Sequence, residues 1–138
     1  MDNKINCLSN FINSVMQNDR VWNAVRIDGI SKEQLGYREN EIYFANEYGF
    51  VMFRNLTPTT KEVHIAMLKG AKNVDSFFKE CLEKMRKLGA TKFVGTIGEW
   101  NKPALKLAKR CGFCEEGRIS KAFLRDGQYH AMVMMGSE

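Results

Sequence analysis

The sequence predicts an α/β fold, a mixed and mainly antiparallel sheet with helices on both faces and one parallel strand pair. Three observations carry this. The hydrophobic period is two over residues 62–68, three to four over residues 74–88, and gives way to a short apolar run at 92–97. A helix between two neighbouring strands makes a crossover, so those strands run parallel. Elsewhere, apolar runs flank two turn signals, Asn46-Glu47-Tyr48-Gly49 and Arg125-Asp126-Gly127, which join antiparallel strands. Finally, 138 residues with 44% hydrophobic and 27% charged side chains suit one buried core, so residues 1–138 are read as a single domain.

The elements follow in order. Ile5, Leu8, Phe11, Ile12, Val15 and Met16 form one apolar stripe at helical spacing. Residues 21–27 read as a short strand, followed by an irregular polar connection to residue 40. Residues 41–45 and 50–54 are aromatic and β-branched runs that make a hairpin, and after Thr57-Pro58-Thr59-Thr60 a third strand at 62–68 completes a meander. Val63, Ile65 and Met67 alternate there with Glu62, His64 and Ala66. Val74, Phe77, Phe78, Cys81, Leu82, Met85 and Leu88 form a helical face closed by Gly89. Asn73 is placed to cap that helix through its side chain, and Asp75 sits where the helix dipole favours an anion. After the strand at 92–97, Asn101 caps a short helix with Pro103 in its first turn, Ala104, Leu107, Ala108 and Cys111 on its apolar face, and Gly112 as its stop. Residues 116–124 and 128–135 close the chain as a hairpin around Asp126-Gly127.

Composition narrows the function classes. No apolar run approaches the ~18 residues of a membrane span, and the amino end, residues 1–6, lacks a secretory pattern, so a soluble cytoplasmic protein is expected. Cys111 and Cys114 have C-x-x-C spacing, but Cys7, Cys81, His64 and His130 supply no matching second pair, so no metal site is expected. The net charge of +5 is spread along the chain. That argues for an anionic ligand and against nucleic acid, and leaves homo-oligomerisation open.

The segment from Asn101 through Ala104 to Gly112-Phe113, then Glu116-Gly117 and Asp126-Gly127-Gln128-Tyr129, resembles the carboxy half of the GNAT family of acetyl-CoA-dependent N-acetyltransferases. In that family an Asn follows a strand, an Ala-containing helix comes next, and Gly-Phe closes it before a hairpin. The resemblance covers residues 41–135 by motif and the first 40 by element order. The chain is also similar to small GNAT-like proteins of bacteriophages, where a strand like Val63-His64-Ile65-Ala66 runs into a basic turn like Lys69-Gly70-Ala71-Lys72.

The resemblance implies a GNAT-like sheet whose parallel strands, 62–68 and 92–97, splay to admit acetyl-CoA as acyl donor, with an amine of a small molecule or protein as acceptor. The pantetheine arm would run along Met67 and Leu68, near Asn101 and Ala104, and the pyrophosphate would meet Lys69, Gly70, Ala71, Lys72, Asn73 and Val74. A helix amino end offers unpaired amides and partial positive charge to such an anion. The family's turn carries two small residues where Lys72 and Val74 stand, and its general-acid Tyr is replaced by Ala108. The candidate bases are His64 and Glu62, on one face of their strand; an ordinary imidazole pKa near 6.5 suits proton transfer at neutral pH. For each of them, and for His130, a solvent-facing side chain without catalytic duty is the competing reading. The alternative function is a catalytically degenerate GNAT-like structural or regulatory protein, of phage type among others.

Overall fold

The computed structural model describes the backbone of residues 3–138 and the side chains from residue 7 onward. The expectations for Ile5 and for the amino-end pattern of residues 1–6 lie outside those described side chains. The chain runs through α1 (Asn3–Gln17), α2 (Asp19–Val25), a 3₁₀ turn at Lys32–Gln34, β1 (Ile42–Ala45), β2 (Gly49–Asn55), β3 (Thr60–Met67) and α3 (Val74–Lys87). It continues through β4 (Lys92–Gly98), α4 (Lys102–Arg110), β5 (Cys114–Arg125) and β6 (Gln128–Ser137). The six strands form one sheet in the order β1-β2-β3-β4-β6-β5, in which β3 and β4 are parallel and every other pair antiparallel.

Helices cover both faces, as two separate apolar clusters show. On one face Val51, Phe53, Val63, Phe93, Val133 and Met135 pack under Phe78, Leu82 and Met85 of α3 and Leu105 and Ala108 of α4. On the other, Phe50 and Met52 pack under Ile12 and Val15 of α1 and Val21 of α2. Strand β2 is therefore buried on both sides, which is why Phe50-Val51-Met52-Phe53 is an unbroken apolar run. On α4, Leu105 and Ala108 are buried, whereas Ala104 and Leu107 stand half-buried.

Residues 21–27 do not form the expected strand. Asp19–Val25 is a helix, because the Asn18 side chain accepts from the amides of Arg20 (3.0 Å) and Val21 (3.2 Å) and Asp19 lies in the first turn. Over seven residues a helical face holds only Val21 and Val25, which is too short a period to distinguish from a strand. The connection that follows is tied to the β5–β6 turn. The Asp28 carboxylate accepts from the amides of Asp126 (3.0 Å) and Gly127 (2.9 Å), and Arg26 grips the Asp126 carboxylate with two bonds. Asp126 and Gly127 have φ of 53° and 76°, the turn that an Asp-Gly pair favours.

The Asn73 expectation also fails in part. Asn73 precedes α3, but it is left-handed (φ 57°, ψ 36°) and its side chain makes no capping bond. Gly70, three residues earlier, has φ +86°, so the turn between β3 and α3 reverses through two left-handed residues.

The β1–β2 hairpin is pressed against β3 at Gly49. A Cβ there would lie 2.0 Å from the Ala66 carbonyl oxygen and 2.9 Å from the Met67 Cα, both backbone atoms. Gly49→Ala is expected to destabilise the protein by about 1–3 kcal/mol, read as a lowered urea midpoint; an unchanged midpoint would show that β3 can move away from the hairpin.

Candidate active site

Strands β3 and β4 pair over three positions, Thr60 with Lys92, Lys61 with Phe93 and Glu62 with Val94, and then part. Strand β4 stays with β6 from Phe93 to Gly98, so the gap opens on its β3 side alone. Backbone groups alternate along β3: the Thr59 carbonyl accepts from the amides of Thr91 and Lys92, whereas the Leu68 amide turns the other way, to the Tyr48 carbonyl. Odd-numbered residues thus present their amide and carbonyl towards β4. Past Glu62 this leaves those of Ile65 and Met67 along the gap, where the Met67 carbonyl accepts from Arg20 Nη1 at 3.3 Å.

The gap holds a cavity of about 100 Å³. Val25 of α2 and His64 line it from one face of the sheet, and Phe78, Ala104, Leu107 and Ala108 from the other, with Gly95, Thr96 and Ile97 of β4 between. It passes through the sheet. The Trp100 indole donates to the Ala24 carbonyl at 2.9 Å and so holds the end of α2, with Val25, above it. On the far side the Asn101 side chain accepts from the Ala104 amide at 3.3 Å, which caps α4 and fixes both residues at the cavity wall.

Of the candidate bases, His64 reaches the cavity and Glu62 stands behind it. His64 Nε2 and Glu62 Oε2 are 2.6 Å apart. A carboxylate only accepts, so Nε2 carries a hydrogen, and in the neutral ring the lone pair is the one on Nδ1. The bond to His64 is the main reason the Glu62 carboxyl is held below its usual range; the charges of His64 and of Arg54, whose Nη1 lies 3.8 Å from Glu62 Oε1, add to it against the cost of burial. Arg54 is in turn bound to Glu41, with Nη2 at 2.6 Å and Nε at 2.7 Å from Oε1, and the Glu41 side chain is only 6% exposed. A line of alternating charge therefore runs from β1 to the cavity. Sequence reasoning missed Glu41 and Arg54, since their meeting depends on the cross-strand register that sets Arg54 opposite Glu62.

Beyond β3 lies the turn into α3. The amides of Lys72, Asn73, Val74, Asp75 and Ser76 have no protein acceptor among the described residues. The Ala71 amide bonds to the Leu68 carbonyl, and a Cβ at Gly70 would meet nothing within 4 Å. Lys69 precedes this row of donors and Lys72 begins it. Asp75 would oppose an anion here, but Arg110 of α4 holds its carboxylate with bonds of 2.7 and 3.1 Å and keeps it ionised and paired. Lys72 and Asn73 also line a shallow groove with Tyr48, Ser76 and Phe77 and with the carboxylates of Glu47 and Glu80. Of the remaining candidates, Met67 and Leu68 end β3 beside the turn, and His130 packs against the edge of Trp100 at 5.3 Å between ring centroids.

Neither cysteine of the C-x-x-C pair is set up for metal chemistry. Cys111 is buried, which pushes its thiol up, and Cys114 is exposed at the start of β5. Among the described residues no cluster of three or more His, Cys, Asp or Glu is arranged to hold a metal ion. No described helix is long and apolar enough to cross a membrane.

No protein-family model matches the chain, and no curated protein matches its sequence. Solved structures do. A protein assigned as a phosphinothricin N-acetyltransferase superposes with a TM-score of 0.76 at 22% identity, over 97% of this chain and 93% of that one. The chain has the fold of the GNAT N-acetyltransferases. A spermidine N-acetyltransferase SpeG chimera from Vibrio cholerae and hSSAT shares this GNAT fold with a TM-score of 0.72 at 20% identity, over 93% of this chain and 87% of that one. The yncA protein from Salmonella typhimurium, assigned as an acetyltransferase and solved with its cofactor acetyl-CoA, does so with a TM-score of 0.60 at 14% identity, over 66% of this chain and 57% of its own. At these identities the likeness is one of GNAT fold.

The Glu62 carboxyl, held below its usual value of 4.5, makes a prediction about stability. A depressed folded-state pKa contributes stability above the unfolded value, and that contribution is lost as pH falls through the folded value. Glu62→Gln is expected to lower the urea midpoint at pH above 4.5 and to converge on the parent in more acidic solution. Parallel curves throughout would show that Glu62 gains nothing from His64 on folding.

Proposed function

We propose that this protein is an N-acetyltransferase that moves an acetyl group from acetyl-CoA to the amine of a small molecule or protein. One observation carries the reading: past a cavity that bears an imidazole in the β3–β4 gap, β3 runs on into a turn where five consecutive amides have no protein acceptor among the described residues and where Lys69 and Lys72 stand at the start of the row. An extended chain with a thioester at one end and phosphates at the other fits those features in that order. The GNAT fold supports it, and so does the acetyl-CoA in the yncA structure.

In this reading the amides of residues 72–76 with Lys69 and Lys72 hold the phosphates. The amide and carbonyl groups of Ile65 and Met67 hold the pantetheine arm as a further strand would, with Asn101 and Ala104 on its other side. Gly70 supplies the room and the positive φ that the family's small residues provide elsewhere in this turn. Acetyl-CoA supplies an acetyl group activated as a thioester. His64 removes the amine's proton through Nδ1, while Glu62 fixes the ring through Nε2 and stabilises the imidazolium that forms.

A second reading, a protein that binds acetyl-CoA without turning it over, is favoured by Ala108 at the place of the family's tyrosine. Calorimetric titration with acetyl-CoA, followed by thiol release with a panel of amines, distinguishes the two. Binding is expected in the parent protein. Combining Lys69→Glu and Lys72→Glu should weaken it by about tenfold or more, because two attractive charges beside an anion become repulsive. Unchanged affinity in that double variant would place the anion elsewhere, and no affinity in the parent would remove the reading.

A further inference from the structure

Among the described residues that line the through-sheet cavity, His64 alone has a side chain that titrates. Glu62 stands behind it, spent on Nε2, and Ala108 on the opposite wall offers a methyl group. The cavity's volume is about 100 Å³. An amine nitrogen and a thioester sulfur placed there share one imidazole. With a tyrosine at position 108, proton removal and proton return would fall to separate groups on separate walls. With alanine there, one group remains.

On these grounds we propose that His64 is a proton shuttle, acting as both base and acid within one turnover. This rests on the acetyl-CoA reading above and goes beyond it by assigning the acid. His64 Nδ1 accepts the proton of the amine as the carbon–nitrogen bond forms. The resulting imidazolium, held by the Glu62 carboxylate, gives that proton to the sulfur as the carbon–sulfur bond breaks. The products are amide and free thiol, the proton passes from nitrogen to sulfur, and the ring ends neutral with Nε2 still bonded to Glu62. Glu62 is a positioning residue in this scheme, and Arg54, with Glu41 behind it, keeps Glu62 charged.

The test uses the whole chain with CoA and desulfo-CoA, which lacks the thiol, as probes. In protein labelled at histidine nitrogens, the His64 ring signals should move on addition of CoA and move much less with desulfo-CoA at equal saturation, with His130 as the internal control. Equal responses to the two, or none to either once bound, would overturn the shuttle and leave the acetyl-CoA reading standing. Failure of both to bind by calorimetry would remove that reading and the shuttle with it. The kinetic arm uses acetyl-CoA and hydroxylamine, an amine already largely neutral at neutral pH, so that the proton His64 takes is the one released as the carbon–nitrogen bond forms, the same proton it returns to sulfur. His64→Ala is still expected to slow thiol release by ~10²-fold or more. His64→Gln, which can keep a hydrogen bond to Glu62 and guards against a folding defect, should be as slow. A variant as fast as the parent, or a parent that releases no thiol, would show that His64 does not return the proton.

Discussion

The site depends on β4 having two neighbours and keeping only one of them. It stays registered with β6 over six residue pairs and leaves β3 after three. From that parting follow the cavity, the open backbone edge of β3 and the approach to the α3 turn. The parting occurs at a glycine: Gly95 follows the last paired residue, and a Cβ there would stand 3.9 Å from the Val63 carbonyl. A hole through a sheet exposes polar backbone to an apolar interior, which is costly unless a ligand or water satisfies it. Arg20 meets part of that need at Met67.

Charge is arranged around this gap in two separate systems. At the α3 end, two lysines lie beside amides that have no acceptor among the described residues, Arg110 takes up the Asp75 carboxylate, and Glu47 and Glu80 line the adjoining groove. On the other face, Glu41 just before β1, Arg54 of β2 and Glu62 of β3 alternate in sign and end at the His64 imidazole. Each member fixes the next, so the imidazole tautomer is set by a carboxylate whose own ionisation is supported from behind. The two systems lie towards opposite ends of the open edge of β3.

Much of the fold was legible in the sequence. The alternation of Val63, Ile65 and Met67, the helical face from Val74 to Met85 and the two tight turns fix element type, because each is a local period matched to one backbone geometry. Segment 21–27 was misread for the same reason: two valines four apart do not make a period, and the deciding signal was the Asn18-Asp19 cap just upstream. Asn73 misled in a subtler way. Asn suits both a capping position and a left-handed one, and the reversal after β3 required the second.

The candidate site divides along the same line. Local spacing determined that Glu62 and His64 share a strand face, that Asn101 caps α4 and that a lysine-bearing turn precedes α3. Tertiary structure alone decided that His64 and Ala108, on opposite faces of the sheet, line one cavity, and that Glu41 and Arg54 stand behind Glu62. The reason is physical. A period records which side of its own element a residue occupies, whereas register, the point at which two strands part and the crossing of a helix over the gap are settled by packing among residues distant in the chain.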